Sequence, residues 1–208
     1  MPASGEIFTN PSDITRDNEY CPIVTRLINF ESHKCSIING NLNPSIFRRK
    51  YDYMAPINII YISIEGNTRA FIKRLSAFAE QQHAFDSDKP LINAKEITDQ
   101  TIPKEEKAPF FVFVPTYLTG GNGIDSGFTE IMTNALGEYI ADGNSARKCI
   151  GVVGSGNRNF NEQYCLTARK YAKQFNAPFI ADYELRGTAR DAEHIYATLC
   201  QRWASVNA

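Results

Sequence analysis

Three short stretches hold the residues whose types and spacing could do chemistry: Ser63–Thr68, Pro115–Gly127 and Gly154–Asn161. The first reads Ser63-Ile64-Glu65-Gly66-Asn67-Thr68 and stands between an apolar run and a helical pattern. Backbone N–H groups at a helix start, with the positive end of its dipole, hold a phosphate without any lysine. Gly66 lets backbone approach closely, and Ser63, Asn67 and Thr68 add short donors. The bland alternative is ordinary helix capping by Asn67 or Thr68. The loop is not a Walker A motif, because no Gly-Lys-Ser/Thr is present. Glu65 places an anion in the turn. Its side chain is expected to point to solvent while its own N–H faces inward, lowering phosphate affinity without abolishing the site.

The second stretch, PTYLTGGNGIDSG, has four glycines in thirteen residues, with Thr116, Tyr117 and Thr119 followed by Gly120, Gly121, Asn122 and Gly123. Such backbone either takes unusual φ values, lies against a flat ligand, or is a plain surface loop. The third, GSGNRNFN, matches a dinucleotide fingerprint only in part, since Asn159 stands at its sixth position. Ser155, Gly156, Asn157 and Asn159 offer short polar groups and Phe160 a ring; a plain turn capped by Asn159 or Asn161 is the alternative. Together the stretches suit a flat aromatic ring on a phosphate tail. No nucleophile–base pair, metal cluster or paired carboxylate lies among them, so the chemistry would belong to a cofactor.

These stretches need a scaffold. From about residue 57 apolar runs alternate with amphipathic helices, the pattern of a parallel sheet covered on both faces. Strands are expected at 57–62, 91–97, 109–115, 149–154 and 178–185. Helices are expected at 67–81 (stripe Phe71, Ile72, Leu75, Phe78, Ala79), from the glycine-rich loop through Ile131, Met132, Leu136 and Ile140, at 162–175, and after Thr188. Thr188 with Asp191 reads as a capping box, and Ala192, Ile195, Tyr196, Leu199 and Trp203 form a buried stripe. The expectation is an α/β fold: a doubly wound, five-stranded parallel sheet of order 2-1-3-4-5. That order puts the first, third and fourth strand ends, and thus all three stretches, beside one another, where open α/β sheets bind ligands.

Composition narrows the function classes. A formal net charge of −1 over 208 residues gives no general pull toward nucleic acid or anionic membrane. No apolar run approaches the roughly 20 residues that span a bilayer. The start, MPASGEIFTNPSD, lacks the basic and apolar parts of a secretory signal, so a cytoplasmic location is expected. Five scattered cysteines form no C-x-x-C pair and read as reduced, mostly buried thiols. Residues 1–53 show no sustained period, and Met54 stands just ahead of the first strand. They are expected to be a poorly ordered appendage or an upstream extension from start-codon choice, with the sheet domain occupying 54–208.

GVVGSGNRNFNEQYC followed by YELRGTARD resembles the NrdI family, flavodoxin-fold partners of class Ib ribonucleotide reductase, over about 57–203. FVPTYLTGGNGID and MTNALGEYI are similar to the streptococcal variant of that family. The resemblance implies non-covalent FMN, its phosphate at Ser63–Thr68 and its ring between 116–124 and 155–160, stacked on Phe160 or Tyr117. Backbone around Thr119–Gly123 would face the flavin N5 edge, where a peptide flip could follow the redox state. It also implies delivery of a superoxide-level oxidant to the dimanganese small subunit, assembling its tyrosyl radical, with an unidentified partner reducing the flavin. The glycine-rich loop would form part of the docking surface. Two departures stand out: many members carry Thr or Ser where this chain has Glu65, and residues 1–53 have no counterpart. The alternatives are a general flavodoxin electron carrier and a flavin-free binding module of the same fold.

Overall fold

The computed structural model describes residues 55–119, 129–131 and 133–207. The expectation for residues 1–53 therefore lies outside the described residues.

Five strands build the sheet: β1 (Ile57–Ile62), β2 (Ile92–Ile97), β3 (Phe110–Pro115), β6 (Cys149–Gly156) and β7 (Phe179–Glu184). Two short strands between them, β4 (Leu118–Thr119) and β5 (Thr129–Glu130), pair antiparallel as a separate ribbon. The five strands are parallel in the order β2-β1-β3-β6-β7, which is the expected 2-1-3-4-5.

Side chains alternate across a strand, and both faces here are apolar. Ile57, Ile59, Tyr61, Phe111 and Phe113 join Phe71, Leu75, Ile195, Leu199 and Trp203 in one buried cluster. Ile60, Ile62, Val112 and Val114 join Leu136, Tyr139, Ile140, Ala168 and Tyr171 in the other. Helices α1 (Asn67–Phe85) and α4 (Ala189–Asn207) thus cover the first face, and α2 (Ala135–Ala141) and α3 (Leu166–Gln174) the second. The capping box forms: the Thr188 N–H donates to Asp191 Oδ2 at 2.7 Å and the Asp191 N–H to Thr188 Oγ1 at 3.2 Å. Trp203 is buried and donates from its indole to the Ala55 carbonyl.

Three local expectations need correcting. The helix expected from the glycine-rich loop begins only at Ala135, because Thr129–Glu130 is drawn into the β4–β5 ribbon. Strand β6 continues to Gly156, so Ser155 and Gly156 are ladder residues facing Tyr183 and Glu184 of β7 rather than loop residues. The helix expected over 162–175 is split into a 3-10 segment at Arg158–Gln163 and α3, with Cys165 between them at φ +57°.

Candidate functional site

The C-terminal ends of β1, β3 and β6 converge, and the turns after them form the site. After β1, Gly66 adopts φ +79° and ψ −4° and stands at the head of α1. A Cβ there would meet nothing within 4 Å, so open space borders the turn and only the left-handed backbone restricts the residue. Neither Asn67 nor Thr68 caps α1 with its side chain; instead Ser63 Oγ accepts from the Arg69 N–H at 3.2 Å. The first N–H groups of α1 thus remain largely free of capping side chains. Ile64 and Glu65 are exposed.

Thr68 is fully buried, and its hydroxyl has no hydrogen-bond partner among the described residues. The Tyr183 hydroxyl shares that condition. Burial pushes the Tyr183 phenol well above its usual range, while the Ser155 and Thr68 hydroxyls beside it pull the other way. Three buried hydroxyls therefore lie together beneath the head of α1; Tyr183 feels the pull of the other two, yet neither Thr68 Oγ1 nor the Tyr183 hydroxyl makes a hydrogen bond of good geometry. Such groups are costly.

A cavity of about 160 Å³ lies alongside, lined by Asn67, Thr116, Tyr117, Phe160 and Leu185 among others. Its walls are cross-linked. The Thr116 N–H donates to the Ser155 carbonyl at 2.7 Å, and the Leu185 N–H to the Gly156 carbonyl at 3.0 Å. Asn67 Nδ2 donates to the Tyr117 hydroxyl at 3.2 Å. Asn157 Oδ1 accepts from the Asn159 N–H at 2.9 Å, which fixes the turn that carries Phe160. The alternative of a cap by Asn159 or Asn161 is not what forms.

Ribbon β4–β5 closes the base of the glycine-rich loop, with the Ile131 N–H donating to the Tyr117 carbonyl at 2.8 Å. Glu130 on β5 takes hydrogen bonds from Thr167 Oγ1 and Lys170 Nζ of α3. Burial opposes the Glu130 charge, but the Lys170 and Thr167 hydrogen bonds outweigh it and hold the carboxyl below its usual range. Thr167 also donates its N–H to Thr116 Oγ1 at 3.1 Å, linking this clamp to the pocket wall. A wider groove of about 470 Å³ opens between α2 and α3 beside Glu130; it is polar and open, and none of the three sequence stretches lines it.

Of the residues singled out by sequence, Ser63, Ile64, Glu65, Gly66, Asn67 and Thr68 form the first turn. Thr116, Tyr117, Ser155, Gly156, Asn157 and Phe160 line or brace the cavity, and Thr119 sits in β4. Asn159 is exposed and contributes its backbone. Gly120, Gly121, Asn122 and Gly123 lie outside the described residues. Sequence reasoning missed Leu185 and Arg186, in the turn after β7. Leu185 holds φ +50°, and Arg186 Nε donates to Asn67 Oδ1 at 2.9 Å across 119 positions.

The described residues hold no cluster of three His, Cys, Asp or Glu able to bind a metal, and none of their helices is long and apolar enough to cross a membrane. Burial, with Asp182 adding, pushes the Cys165 thiol up to about 12, so it is neutral and inert near pH 7.

Sheet order and the position of the site at the strand ends define a flavodoxin-like protein. A short-chain flavodoxin associated with a non-canonical PDU bacterial microcompartment superposes with a TM-score of 0.51 at 16% identity, over 74% of this chain and all of that one, which supports the fold. The family model described as NrdI flavodoxin-like matches residues 59–197, and the chain belongs to that family. A putative NrdI-like protein of Streptococcus pyogenes is 46% identical over 149 residues, covering 72% of this chain and 95% of that protein. One from Streptococcus pneumoniae is 45% identical over 152 residues, covering 70% and 94%. Protein NrdI of Mycoplasma genitalium is 26% identical over 153 residues, covering 74% and 88%.

Proposed function

We propose that this protein binds FMN at the β1, β3 and β6 strand ends and serves, in the cytoplasm, as the activating flavoprotein of a class Ib ribonucleotide reductase. The observation that carries the reading is the turn at the head of α1. It combines a left-handed Gly66, the Asn67 and Thr68 N–H groups without a side-chain cap (Ser63 Oγ takes only that of Arg69), and the buried Thr68 hydroxyl, beside a cavity bearing two rings. A phosphate at that position satisfies the α1 N–H groups and the Thr68 hydroxyl together. The rings of Tyr117 and Phe160, with Leu185, supply apolar surface for the flat part of the same molecule. The donor set therefore fits FMN, and membership of the NrdI flavodoxin-like family points to a flavin.

The binding residues in this reading are Ser63–Thr68 for the phosphate, and Thr116, Tyr117, Thr119, Ser155, Gly156, Asn157, Asn159 and Phe160 for the ring. Gly120–Gly123, which lie outside the described residues, belong to the ring site in the same reading. When bound, FMN supplies one- and two-electron redox chemistry, including reduction of O₂ to a superoxide-level oxidant for a dimanganese small subunit. The chain holds and orients the flavin and presents its edge to that subunit, while a separate partner reduces it.

Two measurements test the reading. Purified protein titrated with FMN is expected to develop a shifted visible flavin spectrum; a protein that leaves the free-FMN spectrum unchanged overturns the proposal. The reduced holoprotein, mixed with manganese-loaded small subunit and O₂, is expected to generate a tyrosyl radical signal by electron paramagnetic resonance. Flavin binding without any radical leaves a general electron carrier.

A further inference from the structure

Resting on that reading, we infer that Arg186 is the cationic arm of the phosphate site, gripping the phosphomonoester end of the cofactor and selecting it over phosphate-free flavin. The turn that carries it is fixed against α1. Arg74 Nη1 donates to the carbonyls of both Arg186 and Gly187 at 2.7 Å. Gly187 holds φ +57° and packs so closely that an added Cβ would stand 2.4 Å from Phe71 Cδ2. From this turn Arg186 reaches to the first residue of α1, with its Nε on Asn67 Oδ1 at 2.9 Å. Its two terminal nitrogens have no partner among the described residues. A guanidinium so held presents a fork that matches two phosphate oxygens.

The neighbouring cations are engaged elsewhere. Arg69, in the first turn of α1, grips Glu96 with Nη2 at 2.6 Å and Nε at 2.8 Å. Arg158 pairs with Asp182 at 3.4 Å and lies over the Tyr164 ring. Arg186 is thus the one arginine of these three whose terminal nitrogens remain available at the head of α1.

Charge counting shows what such an arm corrects. A phosphomonoester brings about −1.5 to −2 charges near pH 7. The head of a helix supplies only about half a positive charge. Glu65 adds a further anion to the same turn. Arg186 restores a full positive charge beside it, which explains how a phosphate turn accommodates a glutamate.

The experiment compares FMN and riboflavin binding to the parent, Arg186→Gln and Arg186→Lys by flavin fluorescence quenching, at low and high salt. Thermal unfolding checks that each variant folds. Arg186→Gln is expected to weaken FMN about ten-fold at low salt, with the loss shrinking at high salt, and to leave riboflavin affinity unchanged. Arg186→Lys keeps the charge without the fork and falls between. Equal losses for FMN and riboflavin would mean that Arg186 only positions Asn67 and Tyr117, and unchanged FMN affinity in Arg186→Gln would mean that it does not touch the phosphate; either overturns this inference. A parent that binds neither flavin overturns the FMN reading itself.

Discussion

Replacing Thr68 with valine isolates one hydroxyl at the proposed phosphate site. Valine keeps the branched Cβ and nearly the same volume, so helix propensity and packing change little. In the flavin-free protein the hydroxyl is fully buried and without a partner, a condition that costs about 1–3 kcal/mol. Thr68→Val is therefore expected to raise the stability of the flavin-free protein by about 1 kcal/mol or more. With FMN bound, the same hydroxyl donates to a charged phosphate, a bond worth about 1.5–3 kcal/mol. Its loss corresponds to roughly 10- to 150-fold weaker FMN binding. Urea unfolding of the flavin-free protein and fluorescence titration with FMN measure the two quantities separately. The diagnostic result is opposite signs: a sturdier flavin-free protein and a weaker complex. A variant that is less stable and binds FMN as tightly as the parent would show that the hydroxyl serves the fold, and the phosphate argument at Thr68 would fail.

Four other outcomes are expected. Gly66→Asp should weaken FMN by at least ten-fold by titration, since it sets a carboxylate and a strained left-handed residue beside the phosphate, with the cost of about 1–2 kcal/mol for αL alone. Glu65→Thr should tighten FMN by several-fold, as an anion near the phosphate is replaced with a donor; unchanged or weaker binding would reverse the reading of that glutamate. Gly187→Ala should destabilise the protein by about 2–4 kcal/mol in chemical unfolding, because the added Cβ meets the Phe71 ring at 2.4 Å on a left-handed backbone. Glu130 has a depressed carboxyl, so its contribution is present above the ordinary glutamate value and is lost as pH falls through its lower folded value. Lys170→Met should therefore flatten the loss of stability seen on acidification below about pH 4.5, measured by urea midpoints.

Much of the fold was legible because the apolar runs are long and the periods clean. Phe110–Val114 is too short for a typical helix and reads as a strand buried on both faces, and the Ala192–Trp203 stripe follows one side of a helix. The head of α1 was legible because a glycine before an amphipathic stripe marks a turn needing a left-handed backbone. Ribbon β4–β5 was not, since two-residue strands carry no period and the glycines around them read as loop. The end of β6 was missed because Gly156 looks like a breaker, whereas the ladder to β7 carries it on. Arg186 was out of reach for a different reason. Nothing in the YELRGT segment announces a partner more than a hundred positions upstream, and only the packing of α4 beside α1 on one face of the sheet brings the turn after β7 to the head of α1.

That long-range clasp bears on how the protein is made. The cavity takes its walls from turns after β1, β3, β6 and β7, so no stretch of the growing chain contains it. Parallel sheets of this kind assemble slowly, because distant strands must meet before any contact rewards them. A fragment released before β7 would possess the turn at the head of α1 but neither Leu185 nor Arg186 to close it. Completion of this pocket therefore waits on the last strand of the sheet, because Leu185 and Arg186 follow it in the chain.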